Sequence, residues 1–125
     1  TLLGLSFKPH TSDMRESPSI PIIKKLLKYD SIIKVYDPIA TVEAKKIFKN
    51  MKIKYCDSLS ISVKDSDVVI ILTSWPEFKK VPKILKSLNL NPLLIDGRRM
   101  ISKNSVKRYA GIGYKLKWSG ILFKN

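Results

Sequence analysis

Short apolar runs alternate with segments of helical period along the whole chain. Leu2 to Phe7 is the first apolar run and predicts a strand. Ser17-Pro18 then reads as a helix start, with Ser at the N-cap and Pro at the first helical position. Behind it Ile20, Ile23 and Leu27 share one face, while Lys24 and Lys28 lie outside it. Ile32 to Tyr36 is a β-branched second strand that Asp37-Pro38 stops. Thr41 to Phe48 predicts a second helix, Lys52 to Tyr55 a third strand, and Leu59 to Lys64 a brief helix. Asp67 to Thr73 is almost unbroken in its apolar character, so it belongs in the middle of a parallel sheet covered on both faces. Ser74-Trp-Pro-Glu77 matches a capping box. The helix behind it carries Phe78, Val81, Ile84, Leu85 and Leu88, and Pro82 predicts a kink or a broken first turn. Pro92 to Ile95 is a fifth strand, Ser102 opens a last short helix, and Gly113 to Trp118 reads as a closing strand.

Strands and helices that alternate through short connections predict a Rossmann-like three-layer α/β/α fold with a mainly parallel sheet of five or six strands. In such sheets ligands bind outside the carboxyl ends of the strands. Phe7-Lys8, Tyr36-Asp37-Pro38, Thr73-Ser74-Trp75 and Asp96-Gly97-Arg98-Arg99 all fall there. Their coincidence on one edge is the strongest pointer to a site.

Length and composition add bounds. The 125 residues, 44% of them apolar, suffice for one domain with its own core. Thr1 already lies inside the first strand run without an initiator methionine, and the expectation is a piece of a longer protein. No window approaches the roughly 18 apolar residues of a membrane span, and no signal peptide is visible. One Cys and one His exclude an internal disulfide and a structural zinc site, and a single thiol fits a reducing cytoplasm. A net charge of +14 favours an anionic partner, but the lysines are spread over every predicted helix, as on a solvated surface. Lys8, Arg15, Arg98 and Arg99 differ because of where they stand.

The loop from Phe7 to Ser17 leads into a helix start, where unpaired N–H groups favour an anion. Lys8 brings a point charge and Arg15 a planar fork. The alternative is that Arg15 pairs with Asp13 or Glu16 and Lys8 is solvated. No G-x-G-x-x-G is present, so a standard dinucleotide fingerprint is missing. Cys56 has no His near it in sequence and reads as a structural thiol, and His10 reads as a loop residue rather than a base. Trp75 either stacks on a ligand or anchors its loop in the core. Asp37 either meets a ribose hydroxyl or forms a turn with Pro38. Of the two adjacent arginines, Arg98 is assigned to the site and Arg99 to the surface or a neighbouring chain.

These motifs resemble the C-terminal domain of the UDP-glucose/GDP-mannose dehydrogenase family. Gly4-Leu-Ser-Phe-Lys-Pro through Asp13-Met-Arg-Glu-Ser-Pro-Ser19 is similar to the family's first signature. Tyr36-Asp37-Pro38, Thr73-Ser-Trp-Pro-Glu-Phe78 and Asp96-Gly-Arg98 follow in order at similar spacing. The Asp-Met-Arg-Glu-Ser-Pro-Ser form is more similar to the UDP-glucose branch than to the GDP-mannose branch. The resemblance implies that residues 1–125 are a UDP-sugar-binding domain, with NAD-binding and middle domains elsewhere. It implies an NAD-dependent UDP-glucose 6-dehydrogenase activity for the full-length, homodimeric, cytoplasmic enzyme. It places Phe7, Lys8 and Arg98 on the UDP-sugar, Arg15 towards NAD, and no catalytic or metal-binding residue in this chain. The alternatives are a UDP-N-acetylmannosamine or GDP-mannose dehydrogenase, or a basic module that binds nucleic acid; the last lacks any recognisable nucleic-acid motif.

Overall fold

The computed structural model describes residues 1–113. Its centre is a six-stranded, all-parallel sheet in the order β3-β2-β1-β4-β5-β6. The strands are β1 (Leu2–Leu3), β2 (Ile33–Tyr36), β3 (Ile53–Tyr55), β4 (Val68–Ile71), β5 (Leu93–Asp96) and β6 (Tyr109–Gly111). Helices α1 (Ser19–Lys28) and α2 (Thr41–Ile47) cover one face, and α3 (Leu59–Val63) and α4 (Val81–Ser87) the other. The three-layer expectation is met. Alternation within the strands divides the core: Leu2, Ile33 and Val35 pack with Ile23, Ala44 and Phe48, whereas Leu3, Val69, Ile71 and Leu94 pack with Val63, Phe78, Val81 and Leu85. β4 lies between β1 and β5, the central place its apolar run called for. Among the described residues no helix is long and apolar enough to cross a membrane.

Helix ends follow local chemistry. Asp30, Asn50 and Asn89 come just after α1, α2 and α4 and adopt positive φ of 57°, 65° and 53°. Short polar side chains tolerate this left-handed conformation better than most. After α1, Asp30 N–H donates to Leu27 O and Ser31 N–H to Leu26 O; Asn89 and Leu90 repeat the pattern on Lys86 O and Leu85 O. The final carbonyls are thereby satisfied and the chain turns back to the sheet.

Several sequence expectations need correction. β1 ends at Leu3 rather than Phe7, because Gly4 turns the chain at φ +93°. Helix α1 is assigned from Ser19, one residue later than expected for Pro18, although Pro18 has helical angles and Ser17 Oγ accepts from Ser19 N–H. Ser74 caps nothing: the chain enters a 3₁₀ turn at Pro76–Lys80, and Glu77 bonds Tyr36 instead. That turn passes into α4 at Val81, with Pro82 in the first turn, so the expected break is present. No helix forms at Ser102; turns lead into β6, a strand the sequence reading missed. The closing strand expected over 113–118 falls almost wholly outside the described residues.

Candidate functional site

The sheet order reverses between β1 and β4, the point where α/β folds open a crevice at the strand ends. Three loops meet there, and side chains satisfy the carbonyls of the first loop one after another. Ser17 and Ser19 hydroxyls donate to Leu5 O at 2.6 and 2.8 Å. Thr73 Oγ1 donates to Ser6 O at 2.8 Å. Arg98 donates through Nε to Leu72 O at 2.7 Å and through Nη2 to Phe7 O at 3.4 Å. Ser6 Oγ donates to Lys8 O at 2.9 Å. These bonds tie down the backbone of the loop, which presents two exposed side chains.

Those side chains are Phe7, 48% exposed, and Lys8, also exposed. Arg98 stands against them across the gap between β1 and β4. The structure therefore brings Phe7, Lys8 and Arg98 to one spot. Arg15 does not join them. It forms a forked pair with Asp13, Nε to Oδ1 at 3.0 Å and Nη2 to Oδ2 at 2.9 Å. This is the pairing that the sequence left as an alternative to a ligand contact. The Arg15 guanidinium, first through its hydrogen bonds, lowers the Asp13 carboxyl to about 2, with a smaller push from Lys8. Both partners face solvent, beside a cavity of about 670 Å³ between this loop, α1 and α2.

The other open questions resolve towards structure. Asp37 is 4% exposed and its carboxylate accepts from both flanking loops, so it forms the turn rather than facing outward. Trp75 is 8% exposed and sits in the core cluster. Its indole meets the edge of His10, ring centroids 4.9 Å apart, and Nε1 has no hydrogen-bond partner among the described residues. Cys56 is buried and donates its N–H to Val35 O, a structural place. Tyr36 donates to Glu77 Oε1 at 2.7 Å; burial first, and then that carboxylate, push its phenol well above the usual range. Among the described residues no three metal-ligating side chains cluster.

Asp96 was underrated in sequence. It is fully buried and orders the arginine turn, accepting from Arg98 N–H at 3.2 Å, Ile101 N–H at 2.7 Å and Tyr109 Oη at 2.9 Å. Its Asp-Gly pair signalled a turn, but Tyr109 carried no signal that it would reach back to it. A second cavity, of about 700 Å³, lies at the opposite edge, between the end of α4 and the loops preceding β5 and β6. It is remote from the strand ends where the cations gather.

The strand-end motifs agree with an independent comparison. The model of the UDP-glucose/GDP-mannose dehydrogenase family, UDP binding domain, matches residues 1–103. The chain belongs to that family. This UDP binding domain is 42% identical over 114 residues to UDP-glucose 6-dehydrogenase YwqF of Bacillus subtilis, over 90% of this chain and 26% of the relative. Of solved structures, a UDP-glucose dehydrogenase from the archaeon Pyrobaculum islandicum matches with a TM-score of 0.74 at 27% identity, over 94% of this chain and 25% of that one. A UDP-D-ManNAc dehydrogenase from Pyrococcus horikoshii gives 0.68 at 31% identity, over 90% of this chain and 24% of the other. The UDP binding domain thus spans about a quarter of the length of these relatives.

Proposed function

We propose that this domain holds the nucleotide part of a UDP-sugar at the β1/β4 strand ends, with Phe7, Lys8 and Arg98 as the contacting residues. The observation that carries the reading is the Arg98 bridge. One guanidinium bonds both the β4 end at Leu72 and the loop bearing Phe7 and Lys8, which concentrates two cations and an aromatic ring at the switch point. A diphosphate there would meet cations already in place, and an exposed ring suits a base or ribose face.

In this reading residues 1–125 are the C-terminal domain of a homodimeric, cytoplasmic UDP-glucose 6-dehydrogenase. The whole enzyme oxidises the sugar C6 alcohol to a carboxylate; two NAD molecules each accept one hydride, and water supplies the second carboxylate oxygen. The residues described do not make a complete NAD site. The space that the missing side chain of Gly4 leaves is filled by Thr73, with atoms 2.4 Å from where a Cβ would stand, so no pyrophosphate fits against that backbone. Arg15, exposed beside its cavity, is the group available to reach a dinucleotide held by other parts of the enzyme. The oxidation chemistry also belongs to those parts.

Calorimetric titration of the purified chain with UDP and UDP-glucose tests the proposal. Binding is expected, with no NAD reduction. A charge-assisted contact of about 1.5–3 kcal/mol means that Lys8→Ala weakens UDP binding by about ten- to a hundredfold. Unchanged affinity in Lys8→Ala, or salt-sensitive RNA binding tighter than UDP binding, overturns it.

A further inference from the structure

We infer that Asp37 is the positioning residue of the Phe7–Lys8 loop, acting through Lys8 rather than by touching a ligand. The inference rests on the proposed nucleotide site for its readout in affinity. Its structural basis stands apart from that site.

The Asp37 carboxylate is buried among four backbone N–H donors drawn from two strand ends. Oδ2 accepts from Leu5 N–H at 2.8 Å and Ser6 N–H at 3.3 Å, with Ser6 Oγ 3.4 Å away. Oδ1 accepts from Ile39 N–H at 2.9 Å and Ala40 N–H at 2.8 Å. No Lys or Arg side chain bonds it among the described residues. Backbone amides alone satisfy the buried charge, so its position and theirs are fixed together. Two of those amides open the loop that presents Phe7 and Lys8. The Ser6 hydroxyl, within reach of Asp37, also holds Lys8 O.

Charge and position predict opposite signs for one substitution. Asp37 is an anion at the edge proposed to bind an anion. If proximity of charge were all that mattered, Asp37→Asn would remove a repulsion and tighten UDP binding. The positioning role predicts weakening. The Asn amide has one accepting oxygen, and either orientation turns its NH₂ towards amide donors, at Leu5 and Ser6 or at Ile39 and Ala40. One loop must then release.

The test combines affinity with amide exchange. In the full 125-residue chain, Asp37→Asn is expected to raise the UDP dissociation constant about tenfold. In a Lys8→Ala background the same change is expected to cost less than threefold, because the loop no longer presents the group being positioned. A general folding defect instead adds in full in both backgrounds and overturns the inference, as does unchanged or tighter binding. Hydrogen exchange supplies a readout that needs no ligand. The Phe7 amide, bonded to Asp13 O and not to Asp37, is expected to lose protection in Asp37→Asn while the amides of β5 keep theirs. Retained protection at Leu5, Ser6 and Phe7 overturns the inference even if the wild-type chain fails to bind UDP, an outcome that separately rejects the proposed function. Should Asp37→Asn not fold, Ser6→Ala removes only the hydroxyl. It is expected to give a smaller affinity loss that also vanishes with Lys8→Ala; a loss that persists counts against the inference.

Discussion

Gly4 supports the candidate site for two reasons that substitution can separate. Its φ of +93° is strained for any residue with a Cβ, and a Cβ there would lie 2.4 Å from both Cβ and Oγ1 of Thr73 and 2.7 Å from its backbone N. Among the described residues Gly113 has the first problem alone: φ is +80°, and the nearest such atom would be Arg99 Nη1 at 3.8 Å. Gly97 has the second alone, with a Cβ 2.7 Å from Ile71 O and no positive φ. Unfavourable backbone angles cost about 1–3 kcal/mol, and forced overpacking costs about 1–3 kcal/mol. The stiffer unfolded chain returns about 0.4–1 kcal/mol to any Gly→Ala change. The net loss is then about 1–6 kcal/mol for Gly4→Ala and at most about 2.6 kcal/mol for each of the others.

Urea unfolding of the three variants measures these losses as shifts of midpoint at constant slope. The expected order puts Gly4→Ala well below the other two, close to the sum of their separate effects. Against a typical domain stability of about 5–15 kcal/mol, that single methyl group removes a large fraction. It also pushes on Thr73, whose hydroxyl holds Ser6 O, so UDP affinity is expected to fall with stability. If Gly4→Ala and Gly113→Ala unfold at the same midpoint, the packing of Thr73 against Gly4 contributes nothing and the reasoning is refuted.

Two further outcomes are expected. The Asp13 carboxyl titrates near 2 rather than 3.8, so the stabilisation from its pair with Arg15 is present above about pH 4 and lost as the pH falls through 2; carboxyl NMR shifts check this, and Arg15→Ala returns the value towards 3.8. Buried Cys56 is expected to resist a thiol reagent in the native chain and to react at the rate of unfolding, so immediate labelling without denaturant contradicts its structural assignment.

Much of this arrangement was legible in the sequence because it depends on local order. The apolar runs and helical faces place β2 to β5 and α1, α2 and α4 within a few residues of where they lie, and the four strand-end motifs fall on one edge because the sheet is parallel. What remained hidden depends on partners distant in the chain. Leu5-Ser6-Phe7 looks like strand, but Asp37, over thirty residues away, takes the amides of Leu5 and Ser6, and Asp13 O takes that of Phe7. Ser74 and Glu77 have capping-box spacing, but Tyr36 takes the glutamate. Arg15 was even in its prospects until the loop folded Asp13 against it. Tyr109-Ala-Gly111 is too short and weakly patterned to announce a strand, and it pairs because β5 offers an open edge.

The edge is built with anions inside and cations outside. Asp37 at the end of β2 and Asp96 at the end of β5 are both buried, and both accept from backbone amides; Asp96 also takes the Tyr109 hydroxyl. A buried carboxylate without such donors is costly, so each turns the surrounding loop into one fixed conformation. One loop carries Phe7 and Lys8, the other Arg98, and the Arg98 guanidinium joins the two. Lys8 and Arg98 thus stand on loops that buried anions order, within a chain whose net charge is +14. On the proposed function, part of the ordering cost of binding is met during folding, and a diphosphate would find the backbone that carries its cations already set. Lysine content alone provides attraction from any direction, whereas the two carboxylate posts give this edge a direction.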